Sequence, residues 1–322
     1  MLAMNKIPTQ IDLVTGIVDM TFACNDTCAF CFNQKMLNKH PGLSKEEIIN
    51  KCWAVKNKWG LDQIILSGGE PMMHENFWDI FGFFLNDFPA QISLNTNSLL
   101  LTDPHRVKKM KDALSSARNK ERMFSLSLSS VDHFPAQTAK EKLKLAGVRA
   151  AIRVAEQTNT DIIIVIAITK TNYRIVPDLI TWLGSVSKGK MVISLRGLYL
   201  DRYMSVEQKQ KTLPVDWIVI RPFAIQAIRN VLRYKRFQIR LFNLPLCYFR
   251  DELWLDRVVG QTKRFFHEIR IGIRKGVVLK AGEFHKDTWL PPECISCPLS
   301  GACSKIQPEF IQKYNYPELR SI

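Results

Sequence analysis

The sequence predicts an α/β fold: a partial (β/α)6 barrel followed by a small C-terminal unit built on a β-hairpin and clustered cysteines. Through the first two-thirds of the chain, runs rich in β-branched residues alternate with amphipathic helical runs. Polar residues gather at the C-terminal ends of the strand-like runs, where ligands collect in parallel βα architectures. After Arg196 the alternation gives way to a hairpin pattern and a C-x2-C-x5-C stretch. A chain of 322 residues, 46% of them hydrophobic, can bury a core for one large domain, expected over 1–236, and a smaller one over 237–322.

Strand one is expected over 12–22 and runs directly into C-N-D-T-C-A-F-C, from Cys24 to Cys31. Ser44 with Glu47 forms a capping box that opens a helix over 44–59. Strand two, 63–66, leads into S-G-G-E-P, from Ser67 to Pro71, and a helix over 76–86 follows. Strand three, 91–95, ends in N-T-N-S, with a helix over 104–116. Strand four, 124–129, carries Ser127 and Ser129 and precedes a helix over 138–157. Strand five spans 161–169 with a helix over 173–186, and strand six, 191–196, ends at Arg196. A last helix is expected over 214–236, a strand over 237–246 leading to Cys247, and a hairpin over 265–284 turning at Lys275 and Gly276.

The cysteines divide into Cys24, Cys28 and Cys31; Cys247, Cys294, Cys297 and Cys303; and Cys52, alone on an amphipathic helix and read as a buried thiol. Three thiols do not fill a tetrahedral zinc site, which takes four protein ligands. A fourth position at the first group therefore falls to something else. No G-x-S-x-G, Walker loop or H-E-x-x-H occurs, and the six histidines form no ligand pair; His74 and His105, near strand ends, are expected at the surface, contact with substrate being the alternative for either.

The C-x3-C-x2-C spacing, with Phe30 before the last cysteine and Gly-Gly-Glu-Pro following strand two, resembles the radical S-adenosylmethionine (SAM) enzymes. The resemblance implies the same partial barrel and a [4Fe-4S] cluster in which Cys24, Cys28 and Cys31 hold three irons while SAM chelates the fourth. It places Gly68, Gly69, Glu70 and Pro71 at the amino group of SAM, and Asn97, Ser127 and Ser129 at its carboxylate and ribose. Where relatives often have glycine after N-T-N, this chain has Ser98. Arg196 is a candidate for the SAM carboxylate or a substrate, a solvated rim arginine being the alternative. The implied chemistry is one-electron cleavage of SAM to a 5′-deoxyadenosyl radical that takes a hydrogen atom from the substrate. An electron donor such as flavodoxin or ferredoxin is then a partner.

Cys247 before the hairpin and Cys294, Cys297 and Cys303 after it resemble the Twitch variety of auxiliary-cluster domain in the same enzymes; the longer SPASM version needs more cysteines. This implies one auxiliary [4Fe-4S] cluster, although four cysteines also fit a structural zinc ribbon. Twitch and SPASM relatives often modify ribosomal peptides by cross-linking, epimerisation or oxidation, so a peptide is the favoured substrate. A small molecule, a nucleotide or an RNA base follows, and two zinc sites on a non-catalytic nucleic-acid-binding protein form a separate reading. The formal charge is +15, and 221–286 carries fifteen Lys and Arg against five Asp and Glu. Such a surface favours an acidic partner, nucleic acid being possible without being favoured. The N-terminus shows no h-region, no apolar run is long enough for a membrane span, and the eight cysteines point to metal chemistry, so a cytoplasmic protein is expected.

Overall fold

In a computed structural model of the chain, residues 13–31, 33–198, 216–255, 258, 266–272, 278–279 and 303 are described. Six strands alternate with helices: β1 (Leu13–Thr21), α1 (Lys45–Trp59), β2 (Gln63–Gly68), α2 (Phe77–Asn86), β3 (Gln91–Thr96), α3 (Pro104–Ser116), β4 (Arg122–Ser127), α4 (Ala139–Thr158), β5 (Asp161–Ile168), α5 (Val176–Val186) and β6 (Met191–Gly197). There follow α6 (Trp217–Arg233), β7 (Phe237–Phe242), β8 (Phe266–Ile271) and β9 (Val278–Leu279). Among the described residues the nine strands lie in one sheet, ordered β7-β6-β5-β4-β3-β2-β1-β8-β9.

From β1 to β7 each strand pairs in parallel with the next in sequence. Because βα crossovers are right-handed, an order that never reverses puts every helix on the same face of the sheet. That is the strand order of a barrel rather than of a doubly wound sheet. Burial agrees: on β5, Ile162, Ile164, Ile166 and Ile168 are buried, while Ile163, Val165 and Ala167 between them are half-buried. The pairing register sets Gln63, Ile65, Ser93, Ser125, Ile163, Val192 and Gln238 across the face away from the helices. This face is largely polar, unlike the filled interior of a closed eight-stranded barrel.

Local chemistry explains the element ends. Ser44 and Glu47 close the expected capping box on α1, and Gly60 ends that helix at φ 71°. A second box, Thr138 with Glu141, opens α4. The helix after β5 begins at Val176 rather than near 173, because Asn172 folds back to accept the Thr169 N–H and donate to the Ala167 carbonyl. Beyond the proposed boundary at Arg236, β7 pairs in parallel with β6, and β8 pairs in parallel with β1 and antiparallel with β9. The antiparallel pair matches the expected hairpin, and its first strand extends the barrel sheet. Among the described residues no helix is long and apolar enough to cross a membrane.

β4 starts two residues before its expected position, at Arg122, whose side chain is 5% exposed. Its guanidinium donates to the Leu114 carbonyl, in the last turn of α3, and at 2.7 Å to that of Thr158, the last residue of α4. Arg122 therefore satisfies carbonyls that two helix ends leave without intrahelical partners. Arg122→Met should lower stability by about 2 kcal/mol, two charge-assisted bonds being lost against relief of a desolvated Nε–H that has no partner. Urea denaturation checks this; an unchanged midpoint would show that the two carbonyls are met otherwise.

Candidate active site

Cys24, Cys28 and Cys31 leave the C-terminal end of β1 on a loop fixed from several sides. Asn38, at φ 56°, accepts the Cys24 N–H at 3.0 Å and donates to the Cys24 carbonyl at 3.3 Å, while its own N–H bonds to Phe22. The Cys31 N–H bonds to the Cys28 carbonyl, making a turn that presents both thiols, with half-buried Phe30 between them. The Asn97 amide donates to Asn25 Oδ1 at 2.8 Å and stands 3.9 Å from Cys24 Sγ. Burial raises all three thiols above their ordinary range, Cys28 to about 12.

Among the described residues no three His, Cys, Asp or Glu side chains are gathered closely enough to hold a single metal ion. Thiolates sharing one zinc would sit about 3.8 Å apart, given Zn–S bonds near 2.3 Å. The three loop thiols, near enough that Cys31 feels the charge of Cys24 and Cys28 that of Cys31, offer three sulfur donors of the kind an iron–sulfur group takes, one short of four.

The Gly-Gly-Glu stretch holds this loop. Gly68 lies at φ 118°, and a Cβ on it would stand 2.3 Å from the Thr21 carbonyl oxygen. A Cβ on Gly69 would stand 2.3 Å from that of Ala23, the residue before Cys24. Gly69 N–H donates to Thr21 at 2.7 Å and Glu70 N–H to Ala23 at 2.8 Å. At both glycines the loop's own backbone makes a close approach. Glu70, 1% exposed, accepts from the Thr96 hydroxyl, the Asn97 N–H at 2.8 Å and the Met72 N–H at 3.2 Å. Burial raises its pKa, against those three donors, which lower it. Its carboxylate, read in the sequence as a partner for an ammonium, ties β2 to β3 below a buried Pro71.

Ser127 is half-buried on the polar face at the end of β4. Ser129 is 2% exposed, and its hydroxyl accepts the Ala167 N–H at 2.8 Å, so it joins β4 to β5. Ser98 occupies the left-handed region at φ 66°, the conformation glycine would adopt there, and its N–H bonds to Thr96 Oγ1. Arg196 is exposed, donates to Ser194 Oγ at 3.0 Å and lies over the Phe242 ring at 5.1 Å. The structure thus joins Cys24, Asn25, Glu70 and Asn97 in one network, sets Ser127 on the same sheet face, and leaves Arg196 two strands farther along.

His74, expected at the surface, is 7% exposed: Nε2 bonds to the Leu43 carbonyl at 2.8 Å and Nδ1 accepts the Asn76 N–H. Packing of the turn after Pro71 beneath the loop from Gly42 to Ser44 encloses it. His105 is exposed and Cys52 fully buried, as expected. Asp26, Ser130, Lys140 and Lys144, none singled out in the sequence, meet beneath the thiol loop. One signal was available for Lys144: with Val148, Ala151 and Ala155 it falls on the apolar stripe of α4, while Leu143 beside it is 50% exposed.

Of the second cysteine group, Cys294 and Cys297 lie outside the described residues. Cys303 and Cys247 both pack half-buried against the core, and the Leu246 N–H, beside Cys247, points to Cys303 Sγ at 3.5 Å. These two cysteines therefore approach one another across 56 residues of chain.

A parallel sheet in sequential order, with a three-cysteine loop at the end of its first strand, defines a barrel-type enzyme site. The chain belongs to the radical SAM superfamily, which matches residues 18–180. Over 95 residues it is 32% identical to a Methanocaldococcus jannaschii protein named as a glycyl-radical enzyme activating enzyme, covering 30% of this chain and 36% of that one. Over 91 residues it is 33% identical to a Methanothermobacter marburgensis protein named as a GTP 3′,8-cyclase, covering 28% and 30%. The matches thus span about a third of these relatives. In fold it is similar to SuiB from Streptococcus suis bound to S-adenosylmethionine, with TM-score 0.58 and 14% identity, over 95% of this chain and 76% of that one. It is also similar to anSMEcpe with bound S-adenosylmethionine and a peptide, with TM-score 0.53 and 16% identity, over 96% and 98%.

Proposed function

We propose that the protein cleaves S-adenosylmethionine reductively and abstracts a hydrogen atom from a peptide, with Cys24, Cys28 and Cys31 as ligands of a [4Fe-4S] cluster. The observation that carries this reading is the wiring of the thiol loop, through Asn25 and Asn97, to Glu70 at the end of β2. Bound at this loop, the cluster and SAM supply a 5′-deoxyadenosyl radical.

The chain's own residues bind and orient. Gly68, Gly69 and Glu70 fix the loop and leave the backbone edge of Gly68 to Pro71, with Phe30 and Asn97, beside the amino group and carboxylate of SAM. Ser127 would hold the ribose of SAM, and Ser129 holds the β4 end that carries it. Arg196, exposed over Phe242, is assigned a carboxylate on SAM or the substrate. The similarity in fold to anSMEcpe, solved with a bound peptide, favours a peptide; an anionic nucleotide is the second reading, favoured by the +15 charge and the similarity to a protein named as a GTP cyclase. Cys247 and Cys303, with Cys294 and Cys297, are assigned an auxiliary [4Fe-4S] cluster in a C-terminal Twitch-like unit, and flavodoxin or ferredoxin is the expected reductant.

Anaerobically reconstituted protein should carry about eight irons and, with dithionite and SAM, form 5′-deoxyadenosine. Cys294→Ala with Cys297→Ala should lose about four of them and still cleave SAM. Two zincs and no absorbance near 400 nm would overturn the enzyme reading; loss of one zinc and unfolding of the double variant would replace the auxiliary cluster by a zinc site.

A further inference from the structure

Asp26 lies between Cys24 and Cys28 and is 2% exposed. Its Oδ2 accepts from Lys144 Nζ at 2.6 Å and Ser130 Oγ at 2.9 Å; its Oδ1 accepts from Lys140 Nζ at 2.5 Å and the Thr27 N–H at 2.8 Å. Lys144 also donates to Ser130 at 2.8 Å and is 1% exposed, whereas Lys140 is 42% exposed and reaches Thr27 Oγ1 as well. The two lysines stand four residues apart on one face of α4. That helix start is itself rigid: Glu141 accepts N–H bonds from Asp132, His133, Gln137 and Thr138.

A buried ion pair is a poor stabiliser, since desolvating both charges cancels most of their attraction and an apolar pair of the same volume does as well. Its value is geometric: a carboxylate with four directed donors has one position. We propose that Lys144, with Lys140 and Ser130, clamps Asp26 so that the loop holds its three thiols in the ligating arrangement, making Lys144 a positioning residue for the cluster. The proposal rests on the reading that Cys24, Cys28 and Cys31 hold a cluster. Lys144 Nζ and Asp26 Oδ2, 2.6 Å apart on side chains that are both 1% exposed, form a buried ion pair.

The test uses the full chain reconstituted with iron and sulfide, followed by absorbance near 400 nm during challenge with EDTA, with thermal midpoints measured beside it. Lys144→Met leaves the buried Asp26 carboxylate with only the part-exposed Lys140 ammonium as counter-charge, and should lower the midpoint and speed iron loss about tenfold. Lys144→Met combined with Asp26→Leu removes both buried charges, leaving Lys140 to solvent. The midpoint should recover while iron loss stays fast, because the loop has lost its anchor. Ser130→Ala, which strands no charge, should speed iron loss more mildly and serves if Lys144→Met does not fold. Recovery of slow iron loss in the double variant, or wild-type iron loss in both Lys144→Met and Ser130→Ala, would overturn the clamp, as would wild-type loss in Ser130→Ala where Lys144→Met is unfolded. Wild-type protein that takes up no iron would instead defeat the cluster reading on which the clamp rests.

Discussion

Cys28→Ala should abolish formation of 5′-deoxyadenosine from SAM under dithionite and leave the protein folded. Cys28 lies at the centre of the thiol loop, and its neighbours hold their places by contacts that do not involve its sulfur: Cys24 through Asn38 and Asn97, Cys31 through its backbone N–H to the Cys28 carbonyl, which alanine keeps. The loop should therefore stay in place with two thiols, too few for a site with three protein ligands. Cys24→Ala and Cys31→Ala should behave alike. Cys52→Ala supplies the contrast, because that thiol is fully buried in the core: it should cost roughly 1 kcal/mol of stability and keep full SAM cleavage. Wild-type rates in any of the three loop variants, measured by product formation under anaerobic conditions, would remove that cysteine from the ligand set.

The six barrel strands were legible because their β-branched runs repeat with helices between, and each of the six falls within two residues of its expected bounds, whereas β7 ends at Phe242, four residues short. Capping chemistry marked the start of α1 at Ser44 as plainly. What sequence alone did not show depends on partners remote in the chain. Asp26 meets Lys144 across 118 positions, and nothing local to either residue announces the other. Arg122 reads as a loop residue until the ends of α3 and α4 are brought over it. Membership of β7 and β8 in the barrel sheet is likewise set by pairing with β6 and β1, not by their own pattern. The two glycines at the end of β2 mark a close approach, but that the Thr21 and Ala23 carbonyls pack against them is a tertiary fact.

Gly69→Ala should disable the site by displacing the thiol loop, with loss of iron as well as of SAM binding. The new Cβ would stand 2.3 Å from the Ala23 carbonyl oxygen and 2.9 Å from its carbon, distances that real Cβ atoms do not reach. Both are backbone atoms, so no side chain can rotate away. Relief requires moving Ala23, and with it Cys24, or breaking the bonds from Gly69 N–H to Thr21 and Glu70 N–H to Ala23. Overpacking of this kind costs about 1–3 kcal/mol, which, if met by opening the loop, lowers the population of the ligating state about 5- to 150-fold. Iron retained after reconstitution and 5′-deoxyadenosine formation should fall together. Gly82→Ala is the matched control: a Cβ there meets nothing within 4 Å, and alanine within α2 should leave iron unchanged and stability equal or higher. Glu70→Gln separates holding the loop from binding the ammonium of SAM. It keeps the size and the Thr96 contact but removes the charge, so iron should hold while calorimetric SAM affinity falls only if the carboxylate meets the ligand. Full iron and full SAM cleavage in Gly69→Ala would mean that the backbone at Ala23 yields freely, and the Gly-Gly-Glu stretch would then have to act on SAM directly.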